Sequence, residues 1–375
     1  MLKTYKYRIY PTHKQRTAMQ GVLNECRWLY NHFLEERKTS WEVKQESLNY
    51  YKQAVSIPKL KAERETLTTV HSQVLQNVAV RVDLTYKAFF HRVKVGENAG
   101  YPRFKGFNWY DSFTYPQSGF SIKDGKLKLA KIGNVKIKLH RSLQGKVKTC
   151  TIHRISGKWF ACFTTEVETT PLPVSNQYVG IDVGLEHFAT FSDGTKFENP
   201  RFFRRDEHDL ARVQHKLSKA ERGSAERTKQ RKAVAKVHER IKNRRADFAH
   251  QRSAEIVKKF DIICVEDLSI NKMLHNHCLA KSISDVAWGQ FSNYLSYKAE
   301  SAGRKLVKVN PAYTSQTCSK CGHRQKMPLD VRVFHCPCCD LSIDRDLNAS
   351  LNILALGLQS IGIQSVEAPE FIHGE

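Results

Sequence analysis

Three carboxylates stand where a carboxylate needs a chemical reason. Residues 177–194, QYVGIDVGLEHFATFSDG, read as a strand, a tight turn and the start of a second strand. Alternate strand side chains point to opposite faces, so Val179, Ile181 and Val183 share one face and Gly180, Asp182 and Gly184 the other. Asp182 therefore has no bulky neighbour on its own face. It can close a turn, as Asp commonly does, or it can be kept open to something that approaches closely, and a metal ion holding a phosphate fits. In residues 261–267, Ile262, Cys264 and Glu266 share a face, which puts a second acid at the end of an apolar strand. In residues 342–353, Asp344 reads as a helix N-cap and Asp346 as a first-turn acid, where the helix dipole favours negative charge. Three acids on three separate elements can converge on two hard cations, Mg²⁺ or Mn²⁺, about 4 Å apart, the arrangement that hydrolyses phosphodiesters.

A second cluster is made of thiols. Of ten cysteines, five fall between Cys318 and Cys339, and the rest are scattered in apolar surroundings, which speaks for a metal site and buried thiols rather than disulfides. Cys318 and Cys321 form one C-x-x-C pair and Cys336 and Cys339 another, with 14 residues between the pairs. Each pair can direct two thiolates at one tetrahedral, structural Zn²⁺, and four protein ligands leave no position for a substrate water. Redox-active thiols are the alternative. Cys338 offers a fifth thiol that can replace Cys339, although Cys339 keeps the two-residue spacing; His323 and His335 read as bystanders.

The elements that must position these groups follow from hydrophobic periodicity. Residues 3–10 alternate Tyr5, Tyr7 and Ile9 with Lys6 and Arg8, a strand with a basic face. Thr12 and Gln15 form a capping box, opening a helix whose core stripe is Met19, Val22, Leu23, Cys26, Leu29, Tyr30, Phe33 and Leu34. Further helices follow, with Leu75, Val78, Val82, Phe89 and Val93 on one side. Arg103 and Lys105 then alternate with Tyr101, Phe104, Phe107 and Trp109, cations and rings suited to phosphates and bases, or else rings of the core. From 120 to 170 short Lys-alternating strands, one hairpin turning at Ser156-Gly157, predict a small antiparallel barrel that the strand at 3–10 could complete. Residues 201–259 carry 19 Lys+Arg against 8 Asp+Glu and read as two antiparallel helices turning at Gly223-Ser224, either a solvated face or a rail for a duplex. Strand 261–266, a polar loop to about 280, a helix through Trp288, Phe291 and Leu295, a strand at 305–309, the thiol cluster and a last helix interrupted at Gly357 complete the chain.

The segments YVGIDVG, IICVEDLSI, SISDVAWGQF, VNPAYTSQTCSKCGH and DRDLNASLNI, in that order over nearly the whole chain, resemble the TnpB/OrfB proteins of insertion sequences, relatives of the type V CRISPR effector nucleases. The resemblance implies an α+β multidomain protein: an RNase H-like (RuvC) catalytic domain at 173–310 and 341–362 with a zinc ribbon inserted at 311–340, and an oligonucleotide-binding β-barrel (wedge) at 1–10 and 96–172 with a helical recognition lobe inserted at 11–95. It places Asp182, Glu266 and Asp346 at the three catalytic positions; Arg345 and Asn348, beside the third, are expected to orient the site. Asp340 departs from the pattern, standing where the second knuckle usually has Gly. The nucleic-acid contacts it suggests are Tyr101, Arg103 and Lys105, the polar candidates Gln76, Asn77 and Thr114 for reading a short flanking motif, and Arg231, Lys232, Arg244 and Arg245 along the basic helices, facing a guide RNA–DNA hybrid.

Composition agrees. The 375 residues hold 61 Lys+Arg against 37 Asp+Glu, a formal charge of +24, with a pI of about 9.6. Such an excess calls for a polyanionic partner. No apolar run approaches the ~20 residues that span a bilayer, and the N-terminus lacks a signal-peptide apolar core. The expectation is a cytoplasmic, nucleoid-associated protein of a bacterium or archaeon, with no membrane and no required protein partner, and a tail at 363–375 without fixed structure. The function expected is RNA-guided cleavage of double-stranded target DNA beside a flanking motif, with a guide RNA derived from the transposon end. A guided repressor that no longer cuts, and a transposase that joins strands, are the alternatives; the repressor would be expected to lose one of the three acids, and all three are present.

Overall fold

The computed structural model describes residues 1–363 apart from 108 and 329, and the side chains of 271 and 272 are also outside the description. All but the first residue of the tail expected at 363–375 lies outside the described residues. The chain divides into two compact units, Met1–Glu168 and Thr169–Glu375.

In the first unit strand β1 (Leu2–Tyr10) leads into helices α1 (His13–Lys44), α2 (Tyr50–Glu63) and α3 (Ser72–Lys94), with one 3-10 turn at Glu65–Thr69. Six strands follow: β2 (Ser112–Tyr115), β3 (Phe120–Lys123), β4 (Lys126–Leu129), β5 (Gly133–Lys138), β6 (Lys146–Ile155) and β7 (Lys158–Glu166). All pair antiparallel in the order β2-β6-β7-β1-β5-β4-β3. β1 therefore forms the middle of the sheet and does not close its edge. Ala130 N–H donates to Gly119 O at 2.8 Å, continuing the β3–β4 pair, and the Tyr115 hydroxyl of edge strand β2 reaches Ala130 O, just past β4, at 3.0 Å. The lysine alternation gives the face it predicts: Leu127, Leu129, Val135 and Ile137 are buried and Lys126, Lys128, Lys136 and Lys138 exposed. Ser156 and Gly157, with φ of 48° and 75°, form the hairpin turn of the primed type that matches strand twist.

The capping box at Thr12 and Gln15 is formed, and every residue of the expected α1 stripe is buried. On α3, Leu75, Val78 and Val82 are core, but Phe89 is only partly covered and Val93 is 51 % exposed; Val74, Ala79 and Tyr86 complete the buried face instead. Buried Arg37 on α1 links the helices, Nε donating to Gln53 Oε1 on α2 at 2.8 Å and Nη2 to Asp83 Oδ1 on α3 at 3.2 Å.

The second unit is built on strands β8 (Tyr178–Asp182), β9 (His187–Phe191), β10 (Lys196–Glu198), β11 (Ile262–Glu266) and β12 (Lys305–Val309), in the order β10-β9-β8-β11-β12. β8, β11 and β12 run parallel, and β9 and β10 fold back as antiparallel hairpins. Helices α4 (Phe202–Lys219) and α5 (Ala225–Lys259) form the expected pair, with Ser224 capping α5. Their seam is buried at Leu210 and Ile241 and thins beyond them. The stretch expected as a loop contains single-turn α6 (Ile270–Met273), and α7 (Ala280–Val286) and α8 (Trp288–Ser301) follow. A small hairpin, β13 (Val333–His335) with β14 (Ser342–Asp344), precedes α9 (Arg345–Ser360). Among the described residues no helix is long and apolar enough to cross a membrane.

Both faces of the parallel strands are covered. Val179, Ile181, Phe188, Phe291 and Leu295 pack on the α5–α8 side, and Ile262, Cys264, Val307, Ile353 and Leu358 on the α9 side. Gly357 does not interrupt α9. It lies within the helix because a Cβ there would stand 2.2 Å from Cys264 Sγ, and one at Gly180 on β8 would stand 2.0 Å from Ser350 O. Backbone thus meets backbone where α9 crosses β8, which only glycine allows. Gly180→Ala is expected to cost about 3 kcal/mol in denaturant unfolding of the full chain. Gly289→Ala on α8, whose Cβ meets nothing within 4 Å, serves as the neutral control.

Candidate active site and metal centre

Asp182 and Glu266 end neighbouring parallel strands. Ile181 pairs with Val265, so the next residue on each strand, the acid, lies beside the other, roughly 4.8 Å away across the sheet. Asp346 comes from the first turn of α9, and a Cβ on Gly184 would stand 3.9 Å from its Oδ2. Asp182 feels both of the other charges. Burial, then the negative charges of Glu266 and Asp346, push the Asp182 carboxyl up to about 8, with Arg345 partly offsetting them. Burial also raises Glu266, against which the Thr314 hydroxyl donates to Oε1 at 2.6 Å. Such a group of acids is complementary to added positive charge, and all-oxygen ligands suit Mg²⁺ or Mn²⁺.

Nearby acids are kept out of this group. Asp344 caps α9, accepting from the N–H groups of Asp346 and Leu347 at 3.0 Å, and Lys196 reaches its Oδ2 at 2.9 Å. Burial raises its pKa, but Lys196 and those N–H groups outweigh it and hold the carboxyl below the usual range. Asp267 turns outward to Lys308 at 2.9 Å. Arg345 stays at the site, 3.3 Å from Asp346 Oδ1, and also donates to Val331 O at 3.1 Å. Asn348, expected to orient the acids, is buried and faces elsewhere: its Oδ1 accepts from Ser319 N–H at 2.9 Å and its Nδ2 donates to Thr317 O at 2.8 Å, both on the approach to the first thiol pair.

Among the described residues, only Cys318, Cys321, Cys336 and Cys339 place three or more metal-ligating side chains with ligand atoms all within 4.8 Å of one another. Two sulfur pairs stand 3.6 Å (Cys318–Cys339) and 3.5 Å (Cys321–Cys336) apart. A Zn–S bond of ~2.3 Å gives tetrahedron edges of about 3.8 Å, so the thiols fit zinc. Cys338 is exposed and outside the group, which assigns Cys339. Asp340 adopts φ +55°. That left-handed conformation is why glycine is usual there, and Asp is among the few other residues that tolerate it.

Three family models match: one described as "Helix-turn-helix domain" over residues 1–46, one as "Probable transposase" over 162–277, and one as "Cas12f1-like, TNB domain" over 288–353. A Streptomyces pristinaespiralis protein named "Putative RNA-guided DNA endonuclease" is 36 % identical over 365 residues, covering 95 % of this chain and 89 % of the relative. An Escherichia coli protein named "Putative RNA-guided DNA endonuclease InsQ" is 31 % identical over 376 residues, covering 95 % and 92 %. The chain belongs to the TnpB/OrfB family. A cryo-EM structure of a Cas12f1-sgRNA-target DNA complex shares the fold at TM-score 0.62 and 14 % identity, over 94 % of this chain and 98 % of that one. In this TnpB/OrfB protein the segment matched as helix-turn-helix is β1 followed by the single helix α1.

The residues expected to touch nucleic acid fall into two sets. In the first unit Asn77 and Thr114 both accept from Arg81, from Nε at 3.1 Å and Nη2 at 2.9 Å, while Gln76 is exposed beside them. Arg81 was not singled out from sequence; its spacing of four from Asn77 on α3 was the available signal. Arg81, Arg103, Lys105 and Trp109 line an open cleft of about 820 Å³, and Tyr101, Phe104, Phe107 and Trp109 are exposed rather than core. The Tyr101 hydroxyl lies 2.7 Å from that of Tyr86. In the second unit Arg231 and Lys232 are exposed on α5, but Arg244 pairs with buried Asp206 at 3.1 Å and Arg245 with buried Asp285 at 2.7 Å. These two pairs bind α5 to α4 and α7.

Zinc content by metal analysis is expected to fall to near zero in Cys318→Ser and to stay at one ion per chain in Cys338→Ser. Asp182 also sets a pH dependence. Its folded pKa of about 8 lies above the ordinary 3.8, so the folded chain binds a proton that the unfolded chain has released, and stability falls as pH rises through that window. Without added magnesium, Asp182→Asn should therefore raise Tm at pH 8 and leave it unchanged near pH 4, as scanning calorimetry can check.

Proposed function

We propose that this TnpB/OrfB protein is the RNA-guided DNA endonuclease of a transposable element, cutting double-stranded target DNA with Asp182, Glu266 and Asp346 as the ligands of two Mg²⁺ or Mn²⁺ ions. The observation that carries this is that buried Asp182, at the end of β8, lies in the negative field of both Glu266 at the end of β11 and Asp346 at the start of α9. When bound, such ions supply a water of lowered pKa and neutralise the leaving 3′ oxygen. The chain's own part is positional. Asp182 and Glu266 are fixed by strand register, Asp346 by the α9 cap, and Arg345 holds Asp346 on one side. With its pKa raised to about 8, the Asp182 carboxyl holds a proton near neutral pH that a bound cation would displace to solvent, so metal binding should strengthen as pH rises towards 8.

In this reading the five-stranded sheet with its helices, 173–310 and 341–362, is the RNase H-like (RuvC) domain, and 311–340 is a structural zinc ribbon. The sheet of the first unit, 1–10 and 96–172, is the wedge, with 11–95 inserted as a recognition lobe. The guide RNA derives from the transposon end and pairs with the target strand, while the protein reads a short flanking motif from the cleft lined by Arg81, with Asn77 and Thr114 bonded to that arginine. Exposed rings at Phe104, Phe107 and Trp109 offer stacking surfaces, and Arg231 and Lys232 offer phosphate contacts to the hybrid. The setting is the cytoplasm of a bacterium or archaeon, at its nucleoid.

The co-purified ribonucleoprotein should linearise a plasmid carrying the target and its flanking motif only when the RNA is present. Asp182→Ala should lower the cleavage rate by about a thousandfold, the loss of several kcal/mol of charge stabilisation in the transition state, while gel-shift binding of the target persists. Binding without cutting by the wild type would turn the reading to the repressor, and joined strands to the transposase.

A further inference from the structure

We propose that Thr314 is a positioning residue for Glu266, and that the zinc knuckle holds Thr314 in place through Asn348 and Asn352 of α9. This rests on the reading of Asp182, Glu266 and Asp346 as metal ligands. Thr314 is buried, and its hydroxyl has one hydrogen and two acceptors in range: Glu266 Oε1 at 2.6 Å and Pro311 O at 3.2 Å. The shorter contact, of the length usual for a hydroxyl on a carboxylate, assigns the proton to Glu266. The bond fixes the carboxylate plane at the end of β11.

Residues 310–318, which carry Thr314, form turns rather than helix or strand, apart from an isolated bridge between Thr317 and Arg324. Two amides on one face of α9 hold them. Asn352 Nδ2 donates to Thr314 O at 2.8 Å and to Thr317 O at 2.7 Å. Asn348, one turn earlier, donates to the same Thr317 O and accepts from Ser319 N–H, between Cys318 and Cys321. Four residues apart on a helix, the two amides stand one above the other. Asp346 begins the same helix two residues before Asn348. One rigid element therefore delivers the third acid, grips the loop that orients the second, and is anchored at its far side to a zinc ligand pair. A threonine that only closed a turn would need Pro311 O alone.

Outer partners of metal ligands typically set 10- to 100-fold in metal affinity. The test is Mn²⁺ binding by full-length, zinc-loaded protein, followed by the loss of the free-ion electron paramagnetic resonance signal, with zinc content and Tm measured alongside. Thr314→Val, which keeps the shape and loses the hydroxyl, should raise the Mn²⁺ Kd by about tenfold or more, and Thr314→Ser should stay within about twofold of wild type. Thr314→Ala repeats the comparison should the valine variant fold poorly. A valine or alanine variant that binds as wild type does, or a serine variant as weak as valine, overturns the role of the hydroxyl. Stripping zinc should weaken Mn²⁺ binding more in wild type than in Thr314→Val, where the contact is already gone; equal losses overturn the link to the knuckle. Wild type and Asp182→Asn binding Mn²⁺ equally weakly would sink the carboxylate site itself, separately from Thr314.

Discussion

The second unit depends on the close crossing of α9 over β8 and β11. Gly180 and Gly357 remove the side chains that would hold helix and sheet apart, and Ser350 and Cys264 fill the space. Lifted by the width of a methyl group, α9 would carry Asp346 away from strand ends whose own acids are set by register. The crossing also decides which face of α9 meets the sheet, with Ile353 and Leu358 inward, and hence that Asn348 and Asn352 meet the thiol-bearing segment. One steric constraint thus governs the carboxylates and the zinc ribbon together.

The site is built against stability. Three acids share one locality, and burial together with mutual repulsion lifts Asp182 far above an ordinary carboxyl. Surrounding groups limit the cost without removing the charge. Lys196 and the helix cap take Asp344 out of the group, Lys308 takes Asp267, Arg345 offsets part of the field at Asp346, and Thr314 gives one neutral hydrogen bond to Glu266. No lysine pairs with Asp182 or Glu266 among the ion pairs of the described residues, which leaves their charge for a cation. The thiol-bearing segment has a small core of its own, centred on Phe334, and its four thiols fit one zinc ion, which would add the constraint that so little burial does not supply.

The chain's positive charge serves two purposes that composition does not separate. Arg231 and Lys232 face solvent and can meet phosphate, whereas Arg240, Arg244 and Arg245 hold buried Asp206 and Asp285 and so fasten α4, α5 and α7 together. In the first unit Arg37 and Arg64 likewise knit helices, while Arg81 gathers Asn77, Ser112 and Thr114 at the wall of a cleft edged with exposed rings.

Local pattern by itself marked the long strands, the capped helices, the acids as candidates and the two thiol pairs, and missed short β2, β10, β13, β14 and α6, because alternation, capping chemistry and C-x-x-C spacing are set by residues a few positions apart. The family resemblance, not local pattern, marked Asp346 rather than Asp344, and the Lys196 contact that takes Asp344 up comes from a strand 148 residues away. Only the tertiary structure decided that β1 lies mid-sheet, that Gly357 is a contact and not a break, that Phe89 and Val93 lie off the core, and that Asn348 faces the zinc knuckle. It alone divided the arginines between internal acids and solvent. Each of these depends on which surface a distant segment covers, and burial and ion pairing between distant segments leave no period in the sequence to read.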